Sequence, residues 1–176
     1  FREQMELQAS LDQPEIAEVQ VSRDGTKKIL FRLADGRFIE SVLIPGKNHW
    51  TACVSTQAGW ALGCRFCLAG MGGLGRVLRP FEITGEVTRL KFFTPEGPDV
   101  KNIVLMGMGE PLANYDNTVK ALQNLTSDHG LGFSTRKITV STCGLAPRIL
   151  RLGEDLCVNL AVSLNAPDDR RRDELM

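Results

Sequence analysis

Residues 19–44 alternate apolar and polar positions: Val19 and Val21, then Ile29, Phe31 and Leu33, then Phe38, Val42 and Ile44. A period of two predicts strands with one buried face. Asp24-Gly25 and Asp35-Gly36 separate the three runs. Asp-Gly between alternating runs signals a tight hairpin. A three-stranded antiparallel meander ending at Pro45-Gly46 is therefore expected. Residues 1–18 read as the tail of a helix and a linker leading out of an earlier domain.

Beyond Pro45 the period changes. Thr51–Gln57 reads as a short strand. Glu82–Phe93 has helical spacing, with Ile83, Val87 and Leu90 on one face. Asn102–Gly107 is a continuous apolar run, as expected of a parallel strand buried on both faces. Asp116–Thr126 is helical, with Asp116 as the expected N-cap. Lys137–Ser141 reads as a strand, Ala146–Leu152 as a short helix closed by Gly153, Cys157–Leu164 as a strand, and Asp168 onward as another helix. Alternating strands and helices predict an α/β fold, a parallel sheet with right-handed crossovers. Residues 49–176 would form this partial barrel or wide sheet, and residues 19–48 an antiparallel β extension before it. The last helix has neither a cap nor a closing strand, so the chain is expected to be part of a larger domain.

The 176 residues are 43% hydrophobic and 24% charged, which excludes a disordered or fibrous chain. With 21 Lys+Arg against 21 Asp+Glu, no overall basic bias marks a nucleic-acid binder. No apolar run approaches the ~18 residues of a membrane span, and no signal-peptide pattern opens the chain. Cysteine is more informative. Five cysteines, an odd number without a secretion signal, argue against a disulfide framework and for a reducing, cytoplasmic setting.

Four polar clusters fall at four consecutive strand ends. The first runs from Cys53 to Arg79 and contains Cys64-Arg65-Phe66-Cys67, with six glycines from Gly59 to Gly75. Cys-x-x-Cys brings two thiolates to one centre, and glycines let the backbone wrap a ligand closely. Alone, the pair leaves zinc and thiol redox chemistry open, although His49 and His129 are isolated and offer no second pair of zinc ligands. The other clusters are Met106-Gly107-Met108-Gly109-Glu110-Pro111-Leu112, Ser141-Thr142-Cys143-Gly144 and Ser163-Leu164-Asn165-Ala166-Pro167. Ser and Asn at a strand end often only cap the next helix. Four such clusters along one sheet edge describe one ligand cleft.

Taken with Glu40-Ser41-Val42-Leu43-Ile44-Pro45 and Cys53-Val54-Ser55-Thr56-Gln57, these segments resemble the radical S-adenosylmethionine (SAM) RNA methyltransferases of the RlmN type. The Cfr-type C8 methyltransferases are near relatives. The resemblance implies a radical-SAM barrel that methylates C2 of adenine in large-subunit ribosomal RNA and in some transfer RNAs. It implies a [4Fe-4S] cluster and SAM as cofactors, and an electron donor such as a flavodoxin-type protein. Cys64 and Cys67 match two ligands of the Cys-x3-Cys-x2-Cys cluster motif. Gly109 and Glu110 match the turn that holds the methionine amino group of SAM. Ser141, and Ser163, Leu164 and Asn165, match SAM-contacting strand ends, although His is usual where Asn165 stands. Glu40 matches a glutamate proposed to accept a proton during turnover; by its position alone it is an outward meander residue in a salt bridge. Arg76, Arg79, Arg136 and Lys137 are candidates for RNA phosphates, against the simpler reading of a solvated face.

Two departures accompany the resemblance. Trp60 stands where the motif places its first cysteine, and an indole has no thiolate to offer iron. The family's methyl-carrying C-terminal cysteine matches neither Cys143 nor Cys157; Cys157 is expected in the core. The chain is therefore expected to be inactive as it stands, with a non-catalytic SAM-binding segment or decayed pseudo-enzyme as the alternative.

Overall fold

The computed structural model describes residues 12–60, 64, 67, 73–93 and 97–175. The expected helix tail falls largely on residues 1–11, outside the described residues. From Glu15 the chain is already a strand, inside the stretch read as linker.

The meander forms as its spacing predicts. β1 (Glu15–Val21), β2 (Lys27–Arg32) and β3 (Phe38–Pro45) pair antiparallel in sequence order. Gly25 and Gly36 take φ of 86° and 82°, the left-handed conformation that each Asp-Gly turn requires. β4 (Trp50–Cys53) pairs antiparallel with β3 and parallel with β7 (Val100–Leu105). β8 (Ile138–Thr142) and β9 (Asn159–Val162) continue in parallel. The meander and the parallel strands thus share one seven-stranded sheet, in the order β1-β2-β3-β4-β7-β8-β9. The expected strand at Thr51–Gln57 is interrupted. After Cys53 the chain leaves the sheet, and β5 (Gln57–Gly59) pairs with β6 (Leu74–Val77) as a separate two-stranded ribbon.

The crossover helices are α1 (Pro80–Lys91), α2 (Tyr115–Thr126), α3 (Ala146–Asp155) and a short α4 (Asp169–Leu175). α1 begins with Pro80 at its first turn, where a missing N–H costs nothing, and the Glu82 carboxylate accepts the Arg79 N–H at 2.8 Å. Asn114, not Asp116, is the N-cap of α2; Asp116 lies in the first turn, where its charge still suits the helix dipole. Gly153 lies inside α3, which runs on to Asp155. Ile103, Leu105, Ile138 and Val140 are buried in one core with Ile83, Val87, Leu90, Leu122 and Leu125 of the helices. The intervening β7 and β8 residues Val104, Thr139 and Ser141 are only half-buried. β7 is therefore buried on one face rather than both, because its other face looks into the open side of a partial barrel.

Candidate functional site

The loop after β4 and the turn after β7 lock together by backbone. Gly107 N–H donates to Val54 O at 3.0 Å, and Thr56 N–H to Met108 O at 2.8 Å. Ser55 Oγ accepts the Met108 N–H at 2.9 Å and donates to Glu40 O at 2.7 Å. This closeness requires glycine. A Cβ on Gly107 would stand 2.7 Å from Val54 O, and one on Gly109 (φ +96°) 2.4 Å from Gln57 Cβ. Gln57 Oε1 in turn accepts the Glu110 N–H at 3.0 Å. The next turn, Pro111–Asn114, is stapled back by Asn114 Nδ2, which donates to Thr56 O and Leu78 O at 2.9 and 2.7 Å.

This frame presents Glu110, whose side chain is 1% exposed. Its Oε1 accepts the Leu112 N–H at 2.9 Å and its Oε2 the Cys143 N–H at 2.8 Å. The second bond ties the β7 turn to the end of β8. Each oxygen keeps lone-pair capacity for a ligand cation. Burial, with the Glu110 carboxylate beside it, pushes the Cys143 thiol up to about 12, so this sulfur stays protonated.

One cavity of ≈ 310 Å³ collects these ends. Trp60, Cys64, Cys67, Gly109, Glu110, Ser141, Ser163 and Asn165 all border it. All eight lie in the four strand-end clusters, gathered from across the sheet edge. Leu164 is not on its wall and is 67% exposed. Glu40 is not on its wall either: its carboxylate pairs with Lys28 Nζ at 3.1 Å, the salt bridge its position suggested, and only its carbonyl reaches the site through Ser55. Asn165 holds φ +58°, a left-handed conformation that Asn tolerates.

Two residues, Arg172 and Glu86, lay outside the sequence reading, and two others, Arg76 and Cys157, stand differently from its expectation. Arg172 of α4 donates to Ser163 O at 3.0 Å, to Leu164 O at 2.6 Å and to Cys143 O, clamping the ends of β8 and β9. It appears in the sequence only as the third residue of an arginine run. Glu86, whose carboxylate accepts from Ser41 Oγ and Ser55 N–H, lies buried behind the site; a carboxylate between Ile83 and Leu90 on an apolar helix face was its only signal. Arg76, a candidate for RNA phosphate, is committed internally. It grips Glu82 with two bonds at 2.7 and 2.8 Å and Asp35 with one at 2.6 Å, and these carboxylates hold its guanidinium firmly charged. Cys157, expected in the core, is exposed because β9 begins only at Asn159.

The family model of the radical SAM superfamily matches residues 54–176. The chain belongs to the radical SAM superfamily. The dual-specificity RNA methyltransferase RlmN of Syntrophus aciditrophicus is 64% identical over 175 residues, covering 99% of this chain and 50% of that protein. The RlmN of Geotalea uraniireducens is 52% identical over 176 residues, again with 50% of its length covered. The crystal structure of a radical SAM methyltransferase from Sphaerobacter thermophilus superposes with a TM-score of 0.94 at 42% identity, covering 99% of this chain and 52% of that one. The RlmN-type resemblance and the partial barrel are thereby borne out. The chain spans about half the length of the curated relatives it matches.

Radical SAM proteins of the RlmN type use a [4Fe-4S] cluster and SAM, and the chain's residues fit these two groups unequally. The SAM side fits: a glycine cradle, a buried carboxylate and strand-end hydroxyls converge on one cavity. The cluster side does not. Cys64 and Cys67 border the cavity, but Trp60 holds the remaining ligand position, and its Nε1–H donates to Cys64 Sγ at 3.2 Å. Among the described residues no group of three or more His, Cys, Asp and Glu is arranged to hold a metal ion. Most of the glycine-rich loop around the two thiols lies outside the described residues.

Proposed function

We propose that this chain is the SAM-binding half of the core of an RlmN-type RNA methyltransferase, and that as it stands it does not methylate RNA. The convergence of four strand-end clusters on one cavity containing the buried Glu110 carries the first part. Glu110 holds the ligand's ammonium, with its two backbone hydrogen bonds fixing the carboxylate plane. Gly107 and Gly109 keep that turn against the β4 loop, and Ser141, Ser163 and Asn165 line the wall for the ribose and base. Bound SAM supplies an activated methyl and an adenosyl group; the chain's own residues orient it and exclude water. Glu40 is proposed as a proton acceptor only if its Lys28 pair opens.

The parent protein would act on adenine C2 of large-subunit ribosomal RNA and transfer RNA in the cytoplasm, receiving electrons from a flavodoxin-type donor. No described helix is long and apolar enough to cross a membrane. RNA contact is assigned to Arg79, Arg136 and Lys137, with Arg76 withdrawn to its internal carboxylates. The methyl-carrying cysteine that the resemblance implies matches neither Cys143 nor Cys157, and the proposal takes it to lie outside these 176 residues.

The reading of inactivity rests on Trp60, which also favours the alternative of a non-catalytic SAM-binding segment. Anaerobic reconstitution of the chain and of Trp60→Cys tests it. Trp60→Cys should take up a near-stoichiometric cluster, with iron–sulfur absorbance, and the parent chain little iron; neither should methylate RNA. Equal iron in both would show that another group replaces the lost thiolate.

A further inference from the structure

The place that the cluster motif reserves for a thiolate is filled by an aromatic ring. Trp60 borders the same cavity as Glu110 and both motif thiols. The ring is held by its edge, through the Nε1–H bond to Cys64 Sγ at 3.2 Å. An indole N–H donates in the ring plane, so this bond consumes neither π face. Among the described residues no Lys or Arg stacks on Trp60; the cation–π pairs use Trp50, Phe93, Phe133 and Tyr115. An aromatic wall and a buried carboxylate in one cavity are the two contacts that an organic cation with two positive centres needs. A cavity of ≈ 310 Å³ falls within the range of small-molecule sites.

We infer that Trp60 makes the cavity an iron-independent site for an adenosyl sulfonium, with the indole face taking the positive sulfur and Glu110 taking the ammonium. This deepens the SAM reading above and rests on it. Trp60 is then a specificity residue. It separates the sulfonium SAM from S-adenosylhomocysteine, the neutral thioether that lacks only the methyl group and its charge. Glu110 contacts a group common to both ligands and so sets affinity without setting that ratio.

Equilibrium dialysis of the 176-residue chain in the presence of a metal chelator tests the ratio. SAM should bind about three- to thirtyfold more tightly than S-adenosylhomocysteine, the span of a single cation–π contact. Trp60→Leu should bring the ratio near one, because the affinity for SAM falls by more than that for S-adenosylhomocysteine, which loses only a thioether–aromatic contact, and Trp60→Phe should fall between. Equal affinities in the parent chain, or an undiminished preference in Trp60→Leu, would overturn the inference and leave the SAM cleft standing. Binding of neither ligand by the parent chain would remove the cleft reading itself. If Trp60→Leu does not fold, Trp50→Phe makes Trp60 the sole indole, since the chain has two tryptophans. SAM should then quench its fluorescence more than S-adenosylhomocysteine does at saturation, and equal quenching would overturn the inference.

Discussion

Glu86 is fully buried, and both of its donors, Ser41 Oγ and Ser55 N–H, approach Oε2, leaving Oε1 without a partner among the described residues. Burial pushes its carboxyl from 4.5 up to about 8, against the two hydrogen bonds that favour the anion. The sign follows from linkage. The folded state holds the proton more tightly than the unfolded one, so this group's stabilising contribution is full below pH 4.5 and lost as pH rises towards about 8. Glu86→Gln should therefore flatten the decline, at steepest about 1.4 kcal/mol per pH unit, and be the more stable chain above pH 8. Urea denaturation of both chains at mildly acidic and mildly alkaline pH measures this; parallel pH profiles would count against a titrating Glu86. Thiol reactivity separates at the same scale. Burial pushes Cys53 up to about 11 and Cys143 up to about 12, whereas Cys157 is exposed. Limited alkylation at neutral pH, read by mass spectrometry, should label Cys157 well before Cys53 or Cys143.

At the scale of elements, the site is made by strand ends held in register. Gly109→Ala would impose a Cβ 2.4 Å from Gln57 Cβ at φ +96°, and should cost about 3 kcal/mol or more of stability. A thermal unfolding midpoint within a degree or so of the parent's would show that the turn can relax. Arg172 does comparable work from α4, bridging carbonyls of β8 and β9 with one planar guanidinium. Arg172→Ala should weaken SAM binding by on the order of tenfold, as loss of an outer supporting contact typically does. Arg171→Ala, which removes only an exposed pair with Asp168, should leave binding unchanged. Equal affinity in Arg172→Ala and the parent chain, by equilibrium dialysis, would reduce the clamp to a packing contact. The element order was legible because hydrophobic period is local: two for the meander, helical for α1 and α2. The β5–β6 ribbon was not, because Gln57–Gly59 is too short to show a period and its partner lies beyond the glycine-rich loop.

For the molecule as a whole, β9 is the last strand of the described sheet, and its apolar residues stay in water: Leu160 is 43% and Val162 51% exposed, with Leu164 just beyond it. An uncovered apolar edge strand invites pairing with another chain. The 176 residues alone should self-associate at rising concentration, and Val162→Lys should suppress this in light scattering. What the sequence by itself determined was the strands of the main sheet and the crossover helices, their alternation, and the residue types at each strand end, since spacing and turn chemistry act over a few positions. The resemblance added which of those residues belong to one ligand. Tertiary structure decided the rest. Glu110 meets the Cys143 N–H across 33 residues of chain, Arg172 reaches Cys143 O across 29, and Arg76 pairs with Asp35 across 41. Such partners depend on sheet order and register, which no local pattern encodes. The same holds for Trp60: its identity alone denies the cluster a thiolate, but only the fold shows the ring bonded to Cys64 at the wall of the cavity it shares with Glu110.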